Sequence, residues 1–237
     1  MRIGIVDSGI GGLTTLKEVA NRVNGEYFYY MDRKNMPFGD KPKSELDNIA
    51  DNVLTYMNSV NVDIIILACN TLSNVECERL RANSHIPIVC IEPSIKQASK
   101  GKTLVLATKN TVNSEKYKKL TSQFSNVKSK YSLTLAPLIE NGKIDEAEDE
   151  IKSLVAGEDI ENIVLGCTHY VFMKNYVEAL GYRVFEGNKG VARQVKRLQT
   201  MKHMDSETRR SRVYLHMTDV VDLGFIVRYL GQGVIFV

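Results

Sequence analysis

Two apolar runs in the chain carry the same punctuation. Ile64-Ile65-Ile66-Leu67-Ala68 ends at Cys69-Asn70-Thr71, and Ile163-Val164-Leu165-Gly166 ends at Cys167-Thr168-His169. Each run is rich in β-branched residues and free of charge, the pattern of a parallel strand buried on both faces. A segment of helical character follows each. Ile3 to Val6, Tyr27 to Met31, Pro87 to Ile91, Thr103 to Ala107 and Arg183 to Phe185 are further predicted strands. Ser132 to Leu135 is predicted as another, ending at Pro137.

Helices are predicted between the strands. Leu13, Leu16, Val19 and Ala20 fall on one helical face. Ser44 with Asp47 opens a helix reaching about Val60. The helix after Cys69 is expected to carry Cys77 near its middle as a small buried hydrophobe. A lysine-rich helix starts at Ser114, an acidic one covers 143–156, and others cover Tyr170 to Leu180 and Gly187 to Met201. Val213 to His216, Asp219 to Leu230 and Val234 to Phe236 complete a strand, helix and strand that return to the first lobe.

Strands alternating with helices predict an α/β fold with mainly parallel sheets flanked by helices. The likeness of the two cysteine-bearing units predicts two similar lobes with the active site in the cleft between them. Residues 1–93 with 187–237 form the expected first lobe, carrying Asp7 and Cys69. Residues 94–186 form the second, carrying Cys167 and His169.

Composition narrows the function classes. The chain has 237 residues, 43% hydrophobic and 25% charged, as in ordinary globular proteins. A net charge of +3 is too mild for a nucleic-acid footprint. The basic stretch Arg209-Arg210-Ser211-Arg212 follows Asp205 and Glu207, and its simplest reading is a solvated loop. The N-terminus enters a strand pattern directly, without a signal-peptide core. The longest apolar run is far short of the ~18 residues of a membrane span. A cytoplasmic protein is expected, with no nucleic acid and no membrane as partner. All four cysteines, Cys69, Cys77, Cys90 and Cys167, are then expected as reduced thiols, with Cys90 packed in the core. No paired C-x-x-C spacing marks a metal site.

The chemistry is expected at the strand tips, where open α/β sheets bind ligands. Two cysteines in matched positions suggest two thiols facing one substrate carbon, a two-base site for proton transfer. Each cysteine precedes a helix start, whose positive end stabilises a thiolate. A free thiol with a pKa of about 8.5 is only a few per cent thiolate at pH 7, so it needs help. Asp7 and His169 are the candidate helpers. Asp7 could instead be a helix cap. The turn Asp7-Ser8-Gly9-Ile10-Gly11-Gly12 lacks the spacing of a dinucleotide or P-loop fingerprint, which leaves a tight turn able to hold a small anion. A Cys-His hydrolase and a disulfide switch between Cys69 and Cys167 stay open as competing readings.

Read together, these motifs resemble the glutamate racemase family of the aspartate/glutamate racemase superfamily. Asp7-Ser8-Gly9-Ile10-Gly11-Gly12-Leu13 resembles its opening motif, and Asp32 through Pro37-Phe38-Gly39 resembles its Asp…Pro-Tyr-Gly loop. Ala68-Cys69-Asn70-Thr71 and Leu165-Gly166-Cys167-Thr168-His169-Tyr170 resemble its two catalytic motifs. Thr108 to Thr111 and Pro137 to Glu140 fall where the family has a two-threonine motif and a glutamate. Departures are Phe38 for the usual Tyr, Lys41 for a common Arg, Val171 for a usual Pro, and Glu186-Gly187-Asn188 for an Asp-Ser-Gly type stretch.

The resemblance implies interconversion of L- and D-glutamate without cofactor or metal, supplying D-glutamate for peptidoglycan, in a homodimer. It implies that Cys69 acts on the D-enantiomer and Cys167 on the L-enantiomer, with Asp7 and His169 assisting. Ser8, Pro37, Phe38, Gly39, Asn70, Thr71, Thr108, Thr111, Glu140 and Thr168 would hold the substrate. A racemase of aspartate or another amino acid, a single-cysteine decarboxylase and a non-catalytic amino-acid-binding regulator are the alternatives.

Overall fold

A computed structural model describes residues 1–202, 211–231 and 234–236. The first half of the chain runs β1 (Arg2–Asp7), α1 (Leu13–Ala20), β2 (Glu26–Met31), α2 (Lys43–Ser59), β3 (Ile64–Leu67), α3 (Asn70–Val75), α4 (Cys77–Ala82) and β4 (Ile88–Cys90). After α5 (Ile95–Ala98) come β5 (Thr103–Ala107), α6 (Lys109–Asn113), α7 (Glu115–Thr121), β6 (Val127–Tyr131), α8 (Leu135–Glu140), α9 (Ile144–Val155), β7 (Asn162–Gly166), α10 (Lys174–Ala179) and β8 (Arg183–Glu186). The chain closes with α11 (Asn188–Met201), β9 (Ser211–Met217), α12 (Leu223–Leu230) and β10 (Val234–Phe236).

These strands form two parallel sheets, which bear out the α/β expectation. One has the order β10-β9-β2-β1-β3-β4, the other β6-β5-β7-β8. We refer to each sheet with its covering helices as the first and second lobe. Successive side chains of a strand point to opposite faces, so a sheet covered on both sides needs apolar residues at every position. In the first lobe Ile3, Ile5, Ile64 and Ile66 meet α1 and α11 through Leu13, Leu16, Val191 and Val195. Val6, Ile65 and Leu67 meet α2 on the other face through Leu46, Ile49 and Val53. The second sheet is covered likewise, by α8 and α9 on one face and by α5 and α7 on the other.

The chain crosses between lobes after β4 and again after β8, and the two crossings pack on each other. Ser94 Oγ donates to Glu186 O at 2.7 Å. A Cβ on Gly187 would lie 2.6 Å from Glu92 O, which requires glycine there.

Four local expectations are corrected. The strand expected at 132–135 lies earlier, at β6, and 135–140 is helical. Strand β6 is a half-exposed edge whose Lys128 and Lys130 pair with Glu158, so it shows no apolar run. Pro137 sits in the first turn of α8, where no backbone donor is needed, and Ser132 Oγ accepts from Leu135 N at 2.8 Å.

Cys77 is not mid-helix, because the helix after Cys69 breaks at Glu76 and Cys77 opens α4. It is joined to Cys90 in a disulfide, with Cα atoms 6.3 Å apart. The expected four reduced thiols therefore give way to one disulfide and two free cysteines, Cys69 and Cys167, while Cys90 packs against the first-lobe core as expected.

In the basic stretch, Ser211 and Arg212 open strand β9 rather than lying in a loop, while Arg209 and Arg210 lie outside the described residues.

Candidate active site

Each lobe has one point where successive strands depart in opposite directions. In the first, β2 lies on one side of β1 and β3 on the other; in the second, β6 and β7 flank β5 in the same way. Such switch points leave a crevice beyond the strand ends. The register Val6↔Leu67 brings Asp7 and Ser8 beside Cys69. Ala107↔Gly166 brings Thr108 beside Cys167. The two cysteines thus occupy equivalent positions in two similar lobes.

Both thiols line one cavity of about 20 Å³. Cys69 is 6% exposed and Cys167 7% exposed. Ser8, Pro37, Phe38, Gly39, Asn70 and Thr71 line the cavity from the first lobe; Thr108, Thr168 and His169 line it from the second. Met36 and Ala136 also line it, and the sequence analysis missed both. Neither carries a polar group or sits in a strand-tip motif, so no chemical signal marks it.

His169 is buried beside Cys167, with Nδ1 3.9 Å from Sγ. Its Nε2 lies 2.8 Å from Glu140 Oε2. Burial alone would lower the imidazole pKa, but the hydrogen bonds and charges of Cys167 and Glu140 outweigh it and hold the pKa well above the usual range. Asp7 is fully buried; its carboxylate accepts from Gly9 N at 3.1 Å and from Thr168 Oγ1 at 3.0 Å. Burial pushes its pKa up to about 6, against the lowering effects of His169 and these two donors. Burial and the Asp7 charge together push the Cys69 thiol well above the ordinary thiol range.

Three expected contacts lie behind the cavity instead of on its wall. Glu140 accepts from Ile10 N at 2.8 Å and from Arg33 Nε at 2.9 Å while holding His169, so its oxygens already have protein partners. Thr111 is buried and accepts from the Thr108 hydroxyl at 2.9 Å. Asp7 reaches across the cleft to Thr168, and it does not cap the turn at Ile10–Gly12. The glycine turn does hold anions, but they are the protein's own carboxylates: Asp7 takes the Gly9 N–H and Glu140 takes the Ile10 N–H. Arg33, the cation on Glu140, was missed because nothing in its local sequence points 107 positions away.

Asn70 has a buried Oδ1 without a hydrogen-bond partner. Such an acceptor carries a cost that a donor on a bound molecule would remove. Among the described residues, no group of three or more His, Cys, Asp or Glu side chains is gathered as for a metal ion.

The model of the Asp/Glu/Hydantoin racemase family matches residues 4–195. A glutamate racemase of Leptospira interrogans is 36% identical over 229 residues, covering 91% of this chain and 86% of that protein. A glutamate racemase of Clostridium perfringens is 33% identical over 225 residues, covering 88% of this chain and 86% of its own. The crystal structure of a glutamate racemase from Bacillus anthracis shares the fold, with a TM-score of 0.86 at 23% identity over 99% of this chain and 96% of that one.

Proposed function

The chain belongs to the Asp/Glu/hydantoin racemase family, and on that premise we propose that it interconverts L- and D-glutamate by proton transfer between two thiols. The observation that carries the reading is the pair of free, buried cysteines, one from each lobe, on the wall of a single cavity. One thiolate takes the α-proton from one face of the substrate. The opposing thiol gives a proton to the other face, and the configuration at the carbon inverts. No electrons are exchanged and no other reactant is consumed. Holding both groups against the same carbon supplies the entropic advantage of an intramolecular reaction.

The enantiomer roles are carried over from the resemblance to the glutamate racemase family, and the helper roles are read beside them. Cys167 serves the L-enantiomer and Cys69 the D-enantiomer. His169, oriented by Glu140, exchanges a proton with Cys167. Asp7 acts on Cys69 through its charge. The orphan oxygen of Asn70 accepts from the substrate ammonium. Ser8, Thr71, Thr108 and Thr168, with the Pro37–Gly39 backbone, hold the carboxylates.

The product D-glutamate supplies peptidoglycan. A homodimer in the cytoplasm belongs to the same proposal, and sedimentation analysis reads the oligomeric state. Among the described residues no helix is long and apolar enough to cross a membrane.

Circular dichroism of L- and D-glutamate, with both enantiomers of aspartate as competitors, tests the activity. Optical rotation of glutamate decaying to zero from either side is expected, as is loss of turnover in Cys69→Ala and in Cys167→Ala. A preference for aspartate, or near-normal turnover in either variant, would overturn the reading.

A further inference from the structure

The cavity holding both thiols has about 20 Å³, room for about one water. A glutamate can reach the thiols only when the walls separate. One wall is the first-lobe segment Pro37–Gly39, and the second lobe grips that segment through one residue. Asn110, in the first turn of α6, donates its backbone N–H to Gly39 O at 2.7 Å. Its side-chain Nδ2 donates to Phe38 O at 3.0 Å and to Lys41 O at 2.8 Å. The seam beside it is tight, since a Cβ on Gly39 would lie 2.9 Å from Thr108 Cβ. Asn110 itself does not line the cavity.

We propose that Asn110 is a positioning residue, a latch that holds the Phe38–Lys41 segment on the second lobe and sets how readily the thiol cavity opens to substrate. Among the described residues the chain crosses between lobes only at the paired crossings near Gly187, so lobes that part there pull the two carbonyls of Phe38 and Lys41 off the Asn110 amide. The closed seam keeps both thiols against the substrate carbon during proton transfer. Two neutral hydrogen bonds of ordinary net strength shift such an opening equilibrium by roughly tenfold or more. The role in turnover rests on the racemase reading; the opening itself does not.

The test compares wild type with Asn110→Ala and Asn110→Asp. The Asp variant keeps the side-chain size but turns acceptor oxygens toward the two carbonyls. Alkylation of Cys69 and Cys167 by iodoacetamide, followed by mass spectrometry without substrate, reads opening directly. Both sites are expected to label roughly tenfold faster in Asn110→Ala, and faster still in Asn110→Asp. In turnover, kcat should fall while the primary deuterium isotope effect of the α-proton rises, because release is quickened and the closed complex depleted. A purely structural role would lower the thermal midpoint and leave labelling at lower temperature unchanged. If Asn110→Ala does not fold, Asn110→Ser supplies the same comparison. Folded variants with wild-type labelling rates overturn the latch, even where glutamate is racemised normally. Faster labelling in a protein that does not racemise glutamate upholds the latch and sinks the substrate reading.

Discussion

The Nδ1 of His169 faces the Cys167 sulfur at 3.9 Å, and the far nitrogen of the same ring is tied to Glu140 at 2.8 Å. The imidazole is therefore oriented from behind for exchange with one thiol. His169→Asn should mainly slow proton removal from L-glutamate, by the 10²–10⁴-fold typical of a general acid–base group. The overall equilibrium ties the two steady-state directions together, so the asymmetry is read from α-deuterium isotope effects measured from each enantiomer. Equal changes in both would remove His169 from the Cys167 step. Glu140→Gln should lower the imidazole pKa, seen by NMR titration. Because the folded pKa of His169 is raised, its contribution to stability is full below the ordinary value near 6.5 and fades as pH rises through the raised one. The Gln variant should thus be most destabilised at or below pH 6.5.

Asp7 has the opposite chemistry with the same slope. Its folded pKa of about 6 exceeds the ordinary carboxyl value of 3.8 because burial penalises the charge. Between these values the folded state binds more protons than the unfolded state. Stability from this group therefore falls as pH rises from about 4 to about 6, by about 3 kcal/mol in order of magnitude. Asp7→Asn should flatten that slope and unfold at higher urea than wild type at pH 8, while losing racemisation in both directions, with the larger change in the α-deuterium isotope effect measured from D-glutamate. A wild-type slope retained in the variant would place the titrating group elsewhere.

Gly11 is where the first-lobe turn touches the second lobe. An added Cβ would lie 2.5 Å from Thr168 Oγ1 and 2.7 Å from both the backbone N and Nδ1 of His169. Gly11→Ala should move His169 or part the lobes, lowering kcat by at least tenfold, on the order of the misplacement effects known for positioned groups. A folded variant with unchanged kcat would show that the lobes adjust without disturbing the ring.

The Cys77–Cys90 disulfide lies outside the cavity, so its loss should affect stability and spare chemistry. A loop of this size is worth about 3 kcal/mol by chain entropy. Cys77→Ala with Cys90→Ala, or a dithiol reductant on the wild type, should lower the free energy of unfolding by a similar amount in urea titration and leave racemisation in place. Loss of turnover in the folded double variant would instead couple α4 to the catalytic helix α3.

The amino-acid sequence by itself determined the α/β class, and the strand tips where Cys69 and Cys167 stand. Strands β1, β3, β5 and β7 are buried on both faces, and that burial forces unbroken apolar runs that stand out in the chain. The small polar residues after them are equally visible, because a run must end where the chain turns into a helix. Strand β6 escaped because an edge strand needs no such run. What only the tertiary structure decided is pairing between distant residues. Glu140 meets Ile10 across 130 positions, and Asn110 meets Phe38 across 72. Cys77 finds Cys90 only because α3 breaks at Glu76 and turns α4 toward β4. Periodicity reports whether a residue is buried; the partner it meets there is set by how two lobes close on each other, and that depends on all of their contacts together.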